Sequence, residues 1–165
     1  MNAPTPSGQP TFGDSTRAVG DVEVLVSVAA RLNRVSAMVL SSLEVPLTFR
    51  QYRTLTRVMS GLSTLRQLAG RANLSIPTVS ENVDGLVKRG LMETRASEVD
   101  RRAITLHITP AGVAATAAAT ARLHQFVEYT LAGFDTDGRR ELTIALQAVY
   151  DAATSFIVDE LGGNG

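Results

Sequence analysis

Residues 63–91 read S-T-L-R-Q-L-A-G-R-A-N-L-S-I-P-T-V-S-E-N-V-D-G-L-V-K-R-G-L, and their punctuation decides the fold. Ser63 is positioned to cap a short helix whose Leu65, Leu68 and Ala69 face inward. Asn73 suits a left-handed turn. Ser75 caps a second helix with Pro77 in its first turn, where a missing N–H costs nothing. Val79, Val83, Leu86 and Val87 line the buried face of that helix, and Gly90 ends it. Small residues such as Ala69 at the crossing let the two helices approach closely. The pattern is a helix–turn–helix.

The flanks extend this unit. Two short strands are predicted near 91–95 and 103–108. In the second, Ile104, Leu106 and Ile108 alternate with Thr105 and His107, the period-two signature of a strand. Asp100, Arg101 and Arg102 fall at the tip of the resulting hairpin. Thr109 caps the next helix and Pro110 takes its first position. That helix is rich in alanine, then presents Leu123, Phe126, Val127 and Leu131. Asp135 or Thr136 starts a last helix with Leu142, Leu146, Val149, Ala153 and Phe156 on one face.

On the N-terminal side, Thr48 caps a helix bearing Tyr52, Leu55 and Val58, which Gly61 ends. Pro46 breaks the chain before it. Asp21 caps an earlier helix running to about Ser42, with Leu25, Val28, Leu32, Val35 and Val39 in one narrow stripe suited to helix–helix association. Residues 1–19 hold Pro4, Pro6, Pro10, Gly8 and Gly13 with few large apolar groups, and are expected to be a disordered tail. The fold class that follows is mainly α with a small β-hairpin.

Composition narrows the chemistry. The 165 residues suffice for one domain with a real core. Cysteine is absent, which removes disulfides, thiolate metal sites and thiol redox sensing within the chain. His107 and His124 are the only imidazoles, too few for a histidine-rich metal site. No spacing brings a nucleophile, base and orienter together, and neither a phosphate-binding loop nor a dinucleotide fingerprint occurs; an enzyme is not expected, nor a cofactor. No apolar run approaches the roughly 18 residues of a membrane span, and the N-terminus does not read as a secretory signal. A cytoplasmic protein without a membrane partner is the expectation.

Sixteen basic residues balance sixteen acidic ones, yet the balance is uneven along the chain. Residues 48–112 carry ten basic and five acidic side chains, a local excess of +5. A basic centre of this kind supplies the field that phosphate binding needs. Combined with a helix–turn–helix, whose second helix can project into a major groove, it points to nucleic acid.

Residues 48–112 resemble the winged helix–turn–helix core of the MarR family of bacterial transcription regulators. L-R-Q-L-A, L-S-I-P-T-V-S, L-V-K-R-G-L and D-R-R-A-I-T-L-H-I-T-P-A-G carry the likeness. The family's wing signature is matched by Asp100, Arg102, Ile108 and Thr109, with Ile108 in place of the usual leucine. With its flanking helices the resemblance spans roughly residues 20–160. It implies a single domain over 20–165, with dimerisation helices at 20–43 and 109–160 around a DNA-binding core at 48–108. It also implies a homodimer on a pseudo-palindromic double-stranded operator, recognition helices in successive major grooves and wings at the minor grooves. A regulator of this kind is expected to repress nearby genes until a small aromatic or anionic effector releases it. The sequence does not specify that ligand's site; Met38, Phe49, Tyr52 and Phe126 are candidates to line a pocket.

Roles follow for individual residues. With Val79, Val83 and Leu86 buried, the helical wheel turns Thr78, Glu81 and Lys88 outward and puts Ser80 and Asn82 on the flanks. Thr78 and Ser80 are candidates for phosphate or base-edge contacts, Asn82 for adenine, and Glu81 for a cytosine amino group. Arg102, then Arg101, suit the minor groove, whose negative potential attracts arginine; Asp100 would pair with one of them and shape the wing. Arg50, Arg53, Arg66 and Arg95 are candidate phosphate contacts. Basic residues are common in the family around the positions of Glu81 and Gly85, whereas this helix turns Glu81 and Asp84 outward. An alternative role follows from that departure: a winged-helix module that binds protein and has weak or lost DNA affinity.

Overall fold

Local signals place most of the elements in the computed structural model of the chain, which describes residues 12–96 and 104–162. Helix α1 runs Phe12–Ser41 and α2 runs Phe49–Met59. Helices α3, Leu65–Ala72, and α4, Ile76–Lys88, follow, then strands β1, Met92–Ala96, and β2, Ile104–Ile108. Helices α5, Pro110–Thr130, and α6, Thr136–Gly162, complete the chain. The order is the expected one: mainly α with a two-stranded hairpin.

The helix starts show why. Thr48 caps α2 through a reciprocal pair: its Oγ1 accepts from Gln51 N, and Gln51 Oε1 accepts from Thr48 N. Thr64 and Gln67 form the same box at α3. Thr64 therefore takes the cap expected of Ser63, because the glutamine three residues on serves Thr64. Ser63 instead uses its carbonyl to accept from Leu106 N at 2.8 Å, tying the start of α3 to β2. Asn73 closes α3 at φ 52°, the left-handed conformation asparagine tolerates. Ser75 then caps α4.

Three further starts differ from the sequence reading. Helix α1 begins at Phe12, so residues 12–19, expected in a tail, are helical, and Asp21 lies within the helix rather than at its cap. Both strands sit one residue later than predicted at their starts. They pair antiparallel from Met92↔Ile108 to Ala96↔Ile104.

The chain forms two compact units, one up to Leu123 and one from His124. In the first, Leu40, Leu47, Leu55, Leu68, Val79, Val83, Leu86, Met92 and Leu106 form one buried core, joined by Ala115 and Ala119 of α5. Each fully buried leucine contributes about 1.5–3 kcal/mol. Small residues on α5 serve close packing: a Cβ on Gly112 would lie 2.0 Å from Leu91 O. The second unit holds the end of α5 and α6, where Asp135 Oδ1 accepts from Gly138 N at 2.8 Å at the start of α6. Its turn is clamped by Arg139, which donates to Glu128 Oε2 at 2.9 Å. That contact holds the Glu128 carboxyl below the usual carboxylate range, chiefly through the hydrogen bond and then through the guanidinium charge.

Each unit leaves large apolar side chains in the open. Helix α1 exposes Val22, Leu25, Val28 and Leu32, and α6 exposes Ile144, Leu146, Val149 and Phe156. The stretch Gly20–Ser41 is long and apolar enough, with a mean hydropathy of 1.4, to cross a membrane by length and composition. This corrects the expectation that no apolar run reaches that length: Arg31 and Arg34 interrupt the stretch without lowering its mean hydropathy below that of a span.

Candidate nucleic-acid interface

Helix α4 carries its inner face into the core and leaves its outer face open. Val79, Val83 and Leu86 are buried. Pro77, Glu81, Asp84 and Lys88, at steps of four, three and four, are exposed along the opposite ridge. Thr78 and Ser80 are half-buried on the flanks. The Thr78 and Ser75 hydroxyls bond each other at 2.8 Å, and Ser75 Oγ also accepts from Thr78 N at 3.4 Å.

Asn82 faces inward across the helix pair. It is half-buried, and its Nδ2 donates to Thr54 Oγ1 of α2 at 2.8 Å. Thr54 is only 5% exposed, so this carboxamide satisfies a hydroxyl that water does not reach. The side chain assigned to adenine in the sequence reading thus has a partner inside the protein.

A second tie lies at the far end of α4. Arg89 donates to Gln51 Oε1 at 3.0 Å and to Pro46 O at 2.6 Å. Gln51 Oε1 is the same atom that caps α2. One side chain therefore fastens the C-terminus of α4 to both the α1–α2 connection and the start of α2. Sequence reasoning gave Arg89 no role; its position next to Gly90 was the only hint, since a cation at a helix end is favourable whatever it touches.

The remaining candidates are spread around this helix. Arg66 on α3 and Arg50 on α2 are exposed, and Arg53 is half-buried. Arg95 on β1 is exposed but forms an ion pair with Glu93 two residues before it. Such an exposed pair is worth little and can be exchanged for another anion. Lys88 stands alone on the outer ridge as its cation. Asp100, Arg101 and Arg102 lie outside the described residues.

The pocket candidates separate. Tyr52 hydroxyl bonds Thr120 Oγ1 of α5 at 3.1 Å, and Tyr52 packs against the core. Phe49 is exposed. Met38 lines a groove along α1 with Ser27, Arg31, Arg34 and Val35.

Comparison with known proteins converges on this arrangement. Residues 45–103 match the MarR family. No curated protein matches the sequence. Among solved structures, FabT of Streptococcus pneumoniae, determined in complex with DNA, superposes with a TM-score of 0.75 at 18% identity, covering 84% of this chain and 99% of that one. A MarR family protein from Bacillus stearothermophilus gives 0.72 at 18% identity, with 84% and 97% covered. The PcaV regulator of Streptomyces coelicolor, solved with its natural ligand, gives 0.62 at 23% identity, with 76% and 91% covered.

Proposed function

From the match of residues 45–103 to the MarR family, we propose that the chain is a homodimeric, sequence-specific DNA-binding regulator of transcription. The observation that carries this reading is α4 itself. Its inner face is consumed by the core and its outer ridge has no intramolecular cover among the described residues. The local excess of +5 over residues 48–112 supports it, as does the likeness in fold to FabT, solved in complex with DNA. Arg102 and Arg101 take the minor groove, Asp100 shapes the wing, and Arg50, Arg53, Arg66, Arg95 and Lys88 supply phosphate contacts. Thr78, Ser80 and Glu81 lie where the groove would be; Asn82 serves them by holding α4 on α2.

The exposed faces of α1 and α6 are read as the dimer surface. A membrane span is the competing use of Gly20–Ser41, but Arg31 stands at its midpoint, where an arginine costs about 2.5–3.5 kcal/mol. A second copy covers the apolar stripe and leaves the arginines wet. Repression of nearby genes, relieved by a small aromatic or anionic effector, is the regulatory mode proposed. The α1 groove with Arg31 and Arg34 gives an anion a place to approach.

The test is a mobility shift on the DNA upstream of the protein's own gene across a salt series. Specific binding is expected, with log affinity falling linearly with log salt. Replacing both Arg101 and Arg102 by alanine should weaken binding and reduce the slope by about two phosphate equivalents. Unchanged binding in that variant refutes the wing assignment. One observation favours a second reading, a winged helix that binds protein: Glu81 and Asp84 point outward beside phosphate. The absence of any specific shift at low salt selects it.

A further inference from the structure

The outer ridge of α4 lacks a hydrogen-bond donor over its first three turns. No Arg or Lys occurs from Ile76 to Val87. The exposed ridge there consists of Pro77, Glu81 and Asp84. The donors nearby lie off the ridge: the Asn82 amide is given to Thr54, the Thr78 hydroxyl is paired with that of Ser75, and the Ser80 hydroxyl sits half-buried on the flank. Among the described residues neither Glu81 nor Asp84 has a hydrogen bond or an ion pair. The exposed ridge itself is therefore acceptor-only over this length, with apolar Pro77 and the exposed Ile76 at its N-terminal end.

Base edges in the major groove are not equivalent toward such a surface. Cytosine N4 and adenine N6 are amino donors. Guanine offers two acceptors, N7 and O6, and thymine offers an acceptor and a methyl group. The commonest specific contact, an arginine or lysine on guanine, is unavailable to this helix before Lys88. We propose that α4 selects half-sites in which two adjacent base pairs present amino groups, cytosine or adenine, to Glu81 and Asp84, and that it rejects guanine there. The two carboxylates are three residues apart, about 4.5 Å along the helix, close to the roughly 3.4 Å step between base pairs. Pro77 and Ile76 then meet the next base by apolar contact, which suits a thymine methyl. The carboxylates weaken attraction to phosphate in general while rewarding the amino-bearing site, so they raise discrimination at the expense of raw affinity.

This inference rests on the DNA-binding reading above, and the experiment separates the two. The full-length chain is used to select from a pool of random-sequence DNA duplexes at low salt, and the bound fraction is sequenced. Two adjacent positions per half-site should enrich cytosine or adenine. Placing guanine at either should lower affinity by at least about fivefold. Glu81→Gln, whose amide both donates and accepts, should bring guanine toward parity at one of the two positions and leave the other unchanged. Asp84→Asn should do the converse. Both residues are exposed, and circular dichroism checks that each variant is folded. Guanine enriched at the paired positions, preferences unmoved in both variants, or binding without any enrichment overturns the selectivity while leaving DNA binding in place. No binding to the pool at all overturns the DNA-binding reading and the selectivity with it.

Discussion

Replacing Asn82 by alanine should cost stability before it costs sequence recognition. Its Nδ2 lies 2.8 Å from Thr54 Oγ1, and Thr54 is 5% exposed. Among the described residues no buried side-chain nitrogen or oxygen lacks a partner, so the substitution would create the first. Leaving one buried hydroxyl unpaired costs about 1–3 kcal/mol. With a urea m-value of about 1–3 kcal/mol per molar, the midpoint should fall by roughly 1 M. The assay is equilibrium unfolding in urea at one fixed protein concentration, because association of two copies would otherwise move the midpoint. Thr54→Val removes the stranded hydroxyl, so Asn82→Ala combined with Thr54→Val should recover most of the loss. A double-mutant cycle then reads the coupling directly. The DNA readout is as informative: Asn82→Ala should weaken binding to all selected sequences alike. Stability within about 0.3 kcal/mol of the native chain, strict additivity in the cycle, or loss of preference at a single base position would refute the reasoning.

Gly112→Ala should be among the most damaging single changes, since its Cβ would lie 2.0 Å from Leu91 O and 2.7 Å from Ile108 Cγ1. A loss of at least about 3 kcal/mol is expected by thermal unfolding, and a melting temperature near that of the native chain would contradict it. Introducing glutamate at both Leu25 and Val28 places charge in the exposed α1 stripe and should convert dimers to monomers in sedimentation, with DNA affinity falling alongside; an unchanged dimer would move the interface elsewhere. Glu128→Gln tests the α5–α6 turn. Because Arg139 holds the native carboxyl below the ordinary glutamate range, its contribution is fully present above that range and lost as pH falls through the folded value. The melting-temperature gap between native and variant should therefore narrow on acidification from pH 6 toward pH 3; a gap independent of pH would sink the assignment.

Much of this fold is written locally. Asn73, Ser75 and Gly90 are legible because a left-handed turn, a cap and a helix stop each need a particular residue type, whatever surrounds them. The cap of α3 is expected at Ser63 and found at Thr64, although its signal is local: Ser63 and Thr64 compete for it, and the glutamine three residues after Thr64 decides it. The start of α1 was not legible, because the apolar stripe fades before Asp21 and the helix before it offers no periodic face to read. Site residues divide along the same line. The outward set of α4 follows from its own period. The Asn82–Thr54 bond joins positions 28 residues apart, and the Arg89–Pro46 bond joins positions 43 apart. No pattern within one helix encodes either pair. Gly112 left a faint trace, a poor helix former near the start of a helix otherwise rich in alanine.

The hairpin is fixed from below. Thr109 N donates to Leu91 O at 3.2 Å, Thr109 Oγ1 donates to Gly90 O at 2.7 Å, and Gly112 N donates back to Thr109 Oγ1 at 3.1 Å. With Leu106 N donating to Ser63 O as well, the base of the hairpin is tied both to the start of α3 and to the turn that follows α4. The paired segments Met92–Ala96 and Ile104–Ile108 are thus mounted at their base, so a shift of α3 or of the start of α5 is passed to both strands as one piece.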